Sequence, residues 1–140
     1  MAVEKTLEYP MSNIQYQITN KQYDIHQRIF EFIVTVINFL NKIPKNPTNI
    51  IFINQCTRSV TSIGANDQEA DGASTKNDFI HEYIIVRKEG KETLFWIKLI
   101  AKTNDQKFIE EANKLLKEGN EIISIVSTII KNTSNNSKNK

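Results

Sequence analysis

Apolar residues recur at helical spacing in four successive segments of the chain, and short polar stretches separate these segments. The first segment runs from Asp24 to about Lys42 and carries one apolar stripe of 3.6-residue period. The stripe comprises Ile25, Ile29, Phe32, Ile33, Val36, Ile37 and Leu40. Asp24 is suited to cap the helix, and "IPKNP" ends it because proline lacks an amide donor. We therefore predict a first helix over these residues.

The second and third segments have start and stop signals of their own. The second helix begins near Pro47, after a capping asparagine, and "ADGAS" ends it. Gly72 is suited to the left-handed conformation that often follows a helix. The third helix begins at Ser74 or Thr75, with Asp78 placed as in a capping box. Their predicted inner faces are Ile53, Cys56, Val60, Ile63 and Ala70, then Phe79, Tyr83, Val86, Gly90, Thr93, Ile97 and Ile100.

The fourth segment predicts a helix from about Asp105 to Asn132. Its inner stripe is Phe108, Ala112, Leu115, Gly119, Ile122, Val126 and Ile129. Residues 1–22 lack a helical period and are predicted to form an N-terminal extension of uncertain order. Residues 132–140, "NTSNNSKNK", are polar and of low complexity, which predicts a disordered tail. Residues 23–131 are therefore predicted to form an all-α, antiparallel up-down-up-down four-helix bundle.

Composition supports this fold class and narrows the function. Four glycines and three prolines in 140 residues favour long helices in a single domain. The net charge is +2, but three of the lysines lie at positions 131, 138 and 140. Residues 1–130 thus carry 15 basic and 16 acidic groups, a net charge of −1, which argues modestly against strong nucleic-acid binding by one chain.

Catalytic and membrane signals are weak in this sequence. His26 and His81 have no histidine or cysteine partner at metal-ligand spacing, and no Gly-rich phosphate loop occurs. Cys56 is the single cysteine and lies on an apolar helix face, which predicts a buried thiol and a reducing, cytoplasmic setting. No apolar run approaches the ~20 residues of a spanning helix, and no secretory signal is visible. We expect no enzyme, no metal and no cofactor.

A polar stripe follows the outer side of the second helix. Arg58, Ser62, Asn66 and Glu69 are spaced by four, four and three residues, opposite the apolar stripe. A solvent-exposed face explains this spacing. However, a glycine in the middle of a helix destabilises that helix by about 1 kcal/mol relative to alanine. Gly64 therefore indicates that a neighbouring backbone approaches this position closely.

The third helix carries a basic face opposite its apolar side. This face consists of Lys88, Lys91, Phe95, Lys98 and Lys102. Lysines with an interleaved aromatic ring suit phosphate contact and base stacking, although a plain solvent-exposed face explains the pattern equally well. Glu89, Glu92 and Trp96 lie on the adjoining flank, where the two acids could pair with Arg58.

These motifs resemble the four-helix bundle proteins related to the 23S ribosomal RNA intervening-sequence protein. The shared residues are Arg58, Ser62, Ile63, Gly64, Ala65, Asn66, Glu69, Ala70, Lys76, Asp78, Phe79, Ile80, His81, Lys88, Glu89, Glu92, Thr93 and Trp96. The resemblance covers about residues 24–131, including the ending "EIISIVSTIIK". The chain departs from the pattern at Asp67, a position that is usually not acidic, at Gly90, where alanine is usual, and in its longer N-terminal arm.

The resemblance implies a bundle that assembles as a homopentamer without enzymatic activity. One branch of the family is the accessory variability protein of diversity-generating retroelements, which partners a reverse transcriptase and binds nucleic acid. We expect Arg58, Asn66 and Glu69 to meet the two acids at a helix or subunit contact, with Gly64 and Ala65 permitting the approach. The leading hypothesis is an adaptor that binds RNA through the basic face, repeated around a ring. The alternative is a protein-binding subunit of a reverse transcriptase.

Overall fold

The chain forms four helices that pack side by side in a computed structural model describing residues 24–138. They are α1 (Ile25–Lys42), α2 (Pro47–Asp71), α3 (Lys76–Thr103) and α4 (Ile109–Lys138), with a 3₁₀ turn over Gln106–Phe108. Each helix packs against its neighbours in sequence, and α1 also packs against α4. The predicted all-α four-helix bundle is confirmed.

Contacts between helix ends show that neighbouring helices run antiparallel. The start of α1 meets the end of α2 where His26 contacts Asp67, and Asn49 in the first turn of α2 donates to Asn104 just after α3, at 2.8 Å. On the other side, Lys42 at the end of α1 pairs with Glu111 at the start of α4. The up-down-up-down connectivity follows from these three contacts.

Capping residues set the helix starts at the predicted positions. The side chains of Asp24, Asn46 and Thr75 accept hydrogen bonds from backbone amides three residues onward, at 3.2, 2.8 and 3.1 Å. Asp105 accepts one from the amide of Lys107 at 2.9 Å, ahead of α4. Each bond satisfies an amide that has no partner within its helix, which stabilises that helix start.

Two predicted helix ends differ from the structure. Gly72 follows α2 with φ of −91°, not in the left-handed region, and its amide donates to the Gln68 carbonyl at 3.2 Å. The next amide, that of Ala73, donates to the Ala70 carbonyl three residues back at 3.1 Å, so the helix ends in a tightened last turn instead of a left-handed cap. α4 continues beyond Asn132 to Lys138, where a disordered tail was predicted, because no glycine or proline interrupts it. Residues 139–140 and the predicted extension 1–22 lie outside the described residues.

The four predicted apolar stripes meet in one core. Most members are buried, whereas Ile33, Ile37, Ile53, Phe79 and Ile129 are partly buried and pack around it. Gly119 sits where a β-carbon would collide with Leu94 and lie 3.1 Å from the ring of Phe32, so α1, α3 and α4 converge there. A space of about 10 Å³ beside Phe32, Gly90 and Gly119 holds at most one water molecule. The core therefore has no room there for a ligand.

The described part of the chain contains no helix that combines the length and hydropathy needed to cross a bilayer. Each helix instead has a buried side and an exposed side, and most of its charged residues lie on the exposed side.

Candidate nucleic-acid interface

The basic face predicted on α3 lies in solvent. Lys88, Lys91, Phe95, Lys98 and Lys102 are all exposed, while the opposite side of the helix enters the core through Tyr83, Val86, Thr93 and Ile97. Across residues 24–138, none of the four lysines takes part in an ion pair. Their positive charges are therefore open to an anionic partner.

Phe95 is held in place by a small aromatic cluster. Its side chain is 56% exposed, and its ring packs edge-on against Trp96 with centroids 5.0 Å apart. Trp96 in turn contacts Phe52 of α2 at 5.9 Å, and its indole N–H donates to Glu92 at 3.4 Å. Trp96 is thus fixed between two helices, so it supports a ring that projects among the lysines.

The Arg58 cluster, formed by Arg58, Glu89 and Glu92, joins α2 to α3 beside the basic face. The guanidinium donates to Glu89 at 3.3 Å and, more closely, to Glu92. The Arg58 side chain is 48% exposed, against 12% for Glu89 and 37% for Glu92. The predicted pairing of Arg58 with both acids is present, and it lies within one chain.

The remaining stripe residues do not reach these acids inside the chain. Asn66 turns back onto its own helix, where its amide donates to the Ser62 carbonyl at 2.8 Å and to the Ser62 hydroxyl at 3.1 Å. Glu69 is exposed. Arg58, Asn66 and Glu69 were expected to contact Glu89 and Glu92, but only Arg58 does so within the chain. The other two lie closer to the C-terminal end of α2.

Gly64 permits a close approach, although by a side chain and not by a backbone. A β-carbon at Gly64 would lie 2.7 Å from Cδ1 of Ile33 on α1, whereas Ala65 is exposed. The expected partner was a neighbouring backbone, so the structure corrects that detail. The glycine therefore makes room for α1.

The motif residues at the start of α3 have local structural roles. The amide of Asp78 donates to the hydroxyl of Thr75, and the ring of Phe79 packs on Tyr83 with centroids 4.6 Å apart. Lys76 is exposed at the first position of the helix. These residues set the start of α3 and the packing of its first turns.

The sequence reading missed a buried polar group, the His26 cluster, formed by His26, Asp67 and Tyr83. The Asp67 side chain is 1% exposed, yet both of its oxygens are occupied. The Tyr83 hydroxyl donates to Oδ1 at 2.9 Å, and Nδ1 of His26 lies 3.0 and 2.8 Å from Oδ1 and Oδ2. An aspartate inside an apolar stripe is the signal that could have found it, because a buried carboxylate requires partners.

This environment changes the titration of two groups. The hydrogen bond to Asp67 is the main cause that raises the pKa of His26 above 6.5, and it outweighs the opposing effect of burial. Burial, followed by the nearby Asp67 charge, raises the pKa of Tyr83, so the phenol stays protonated as a donor. His26 therefore carries its charge to higher pH than an ordinary histidine.

Residues 24–138 give little evidence of a metal site or of a reactive side chain. No three histidine, cysteine, aspartate or glutamate side chains there are arranged to hold a metal ion. Cys56 is fully buried, and burial raises the pKa of its thiol to about 12. A thiol of that kind is a core residue and not a nucleophile near neutral pH.

Comparison with known proteins identifies relatives of this bundle. Residues 21–128 match the family described as 23S rRNA-intervening sequence protein. The chain is also 30% identical to a protein of unknown function from the S23 ribosomal protein family of Bacteroides thetaiotaomicron VPI-5482, solved by crystallography. That match covers 76% of this chain and 98% of the other, with a TM-score of 0.68. No curated protein matches the chain. The family resemblance predicted from the motif is confirmed.

Proposed function

We propose that this chain, which belongs to the 23S rRNA-intervening sequence protein family, is a non-catalytic adaptor that binds RNA through the basic face of α3. One observation carries the proposal: four exposed lysines, which form no ion pair with any residue of the described range 24–138, surround an exposed, supported aromatic ring. Lysine ammonium groups attract phosphates, and an aromatic ring offers a stacking surface to an unpaired base. The cytoplasm, where RNA and a reduced Cys56 thiol coexist, is the proposed setting.

The dimensions of the basic face suit a short stretch of nucleic acid. Lys88 and Lys102 are 14 residues apart, which corresponds to about 21 Å along a helix axis. At ~3.4 Å per nucleotide along a strand, that length spans about six phosphates. Phe95 lies midway, so one stacked base there would leave lysines on both sides to contact the adjoining phosphates.

We also propose that the chain assembles as a homopentamer, because one chain is nearly neutral and repetition of its basic face would strengthen the attraction to RNA. A ring would present the basic face five times and thereby raise the local positive potential. The exposed apolar pair Phe30 and Val34 on α1, at 54% and 43% exposure, supports a contact between copies, since they lie one turn apart on one side of the helix.

Salt dependence with charge reversal tests the proposal. Four phosphate contacts by one chain on single-stranded RNA give a slope of about −2.8 in log affinity against log salt, or about 50-fold weaker binding between ~0.05 and ~0.2 M. K91E/K98E removes two of the four contacts, so we expect a shallower slope, of about −1.4 or closer to zero. The variant K117E/K131E, with the same charge change at exposed positions of α4, is the matched control.

The outcomes separate RNA binding from its alternative. Equal loss in both double variants would show nonspecific attraction and contradict a role for the basic face. A protein-binding subunit of a reverse transcriptase is the second candidate, favoured by Ile50 and Ile51, which are exposed on α2. Absence of RNA binding at ~0.05 M salt, together with copurification of a reverse transcriptase that is lost in I51E, would replace the first function by the second.

A further inference from the structure

We propose that the His26 cluster is a pH-sensitive contact that holds the first turn of α1 against α2 and α3, closed at mildly acidic pH and loosened at mildly alkaline pH. Its three members come from three helices, and His26 is the second residue of α1. The contact therefore couples a proton on one imidazole to the docking of a helix end. This inference is independent of RNA binding.

The geometry makes His26 the essential partner of the carboxylate. Oδ1 of Asp67 accepts from both Tyr83 and His26, whereas His26 alone reaches Oδ2, at 2.8 Å. If the first turn of α1 moves away, Oδ2 loses its partner and the buried carboxylate loses part of its cover. Water must then enter, or the first turn of α1 must return. An imidazolium favours the return because it also neutralises the buried charge.

The charges around the imidazole favour its protonated form. Asp67 and Asp71 approach it from α2, with Nε2 of His26 3.5 Å from Asp71, and Asp24 faces it from the N-cap of α1. Tyr83 is the facing group from α3 and is neutral. Burial and the positive end of the α1 dipole oppose protonation. The hydrogen bond to Asp67 is the largest of these effects.

The direction of the pH response follows from the raised pKa. Because the pKa of His26 is higher in the folded chain than its ordinary value of 6.5, the stabilisation is fully present below that value. It is lost as pH rises through the folded pKa. The contact of this first turn with α4 does not change with pH, because Arg28, two residues after His26, pairs with Glu118 and Glu121, and a guanidinium does not titrate in this range. The loosening therefore affects the contact of this turn with α2 and α3.

Proton titration of the histidines by NMR, from about pH 5 to about pH 8, tests the charge coupling. D67N keeps the side-chain shape and an acceptor for Tyr83 but removes the charge. We expect the His26 midpoint to fall in D67N, with His81, exposed on α3, as the internal reference. An unchanged His26 midpoint in D67N would overturn the proposal.

Amide hydrogen exchange over the same pH range tests the mechanical consequence. After correction for intrinsic exchange, the amides of Gln27 and Arg28, which bond to Asp24, should lose protection as pH passes the His26 midpoint. Amides near Leu40, at the other end of α1, serve as the control. H26Q, which keeps a donor but cannot titrate in this range, should show no such step. The same step in H26Q, or constant protection in the unmodified chain, would contradict the contact.

Discussion

The Arg58 cluster and the His26 cluster both tie α2 to neighbouring helices through carboxylates, but they differ in burial. In the first, a half-exposed guanidinium pairs with Glu92, which is partly exposed, and with Glu89, whose side chain keeps 12% exposure. In the second, a carboxylate with 1% exposure depends on a tyrosine and a histidine from two other helices. The contribution of an ion pair to stability therefore depends on the burial of the group that is left unpaired when the pair breaks. A buried group has lost both its partner and its solvent, whereas an exposed group is hydrated again.

The largest expected effect comes from Asp67→Ala. It leaves the buried Tyr83 hydroxyl without its acceptor and opens a void, so we expect a loss of about 3 kcal/mol in the free energy of unfolding. Urea unfolding at about pH 6 measures it, and Asp67→Asn, which retains an acceptor for Tyr83, should cost clearly less. A loss below ~1 kcal/mol would show that the buried cluster contributes no more than a surface pair.

Gly64→Leu tests the packing between the two clusters on α2. Because a β-carbon there already meets Ile33, a full leucine should force α1 outward and cost about 1–3 kcal/mol. Gly64→Ala is the control: Cδ1 of Ile33 is the far end of a flexible side chain, and the gain of about 1 kcal/mol in helix propensity offsets its displacement. Unchanged melting and assembly of the leucine variant would contradict the close approach.

The sequence was sufficient for the bundle and for the Arg58 cluster, but it was insufficient for the His26 cluster, for physical reasons. The helix starts at Asp24, Asn46 and Thr75 depend on capping by a side chain three residues before the amide that it binds. A few consecutive residues of sequence are enough to recognise such a cap. The Arg58 cluster was also within reach, since its members lie on facing sides of two consecutive helices.

The His26 cluster joins residues 41 positions apart, and only the rotation of α1 about its axis brings the imidazole to Asp67. Periodicity does not fix that rotation closely enough to assign a partner. The end of α4 was missed for a different reason: polar composition indicated disorder, whereas the absence of glycine and proline allowed the helix to continue.

Arg58→Ala should have an intermediate effect. Its removal leaves Glu89, whose side chain is only 12% exposed, without the guanidinium, so we expect a loss of about 1 kcal/mol in unfolding free energy. Arg58→Lys is the matched control, because it keeps the charge but cannot form both contacts with the same planar group. If lysine restores full stability, charge alone matters and the two-acid geometry does not.

Glu92→Gln should have the smallest effect, and salt should remove it. Glu92 is 37% exposed, so its pair with Arg58 is worth about 0.2–1 kcal/mol at low salt. Raising the salt from ~0.1 to ~1 M shortens the screening length from about 10 to about 3 Å, which should bring the variant level with the unmodified chain. Asp67→Asn should keep most of its cost at ~1 M salt, because the buried pair is shielded from ions. Equal salt sensitivity of the two variants would mean that burial does not distinguish the clusters.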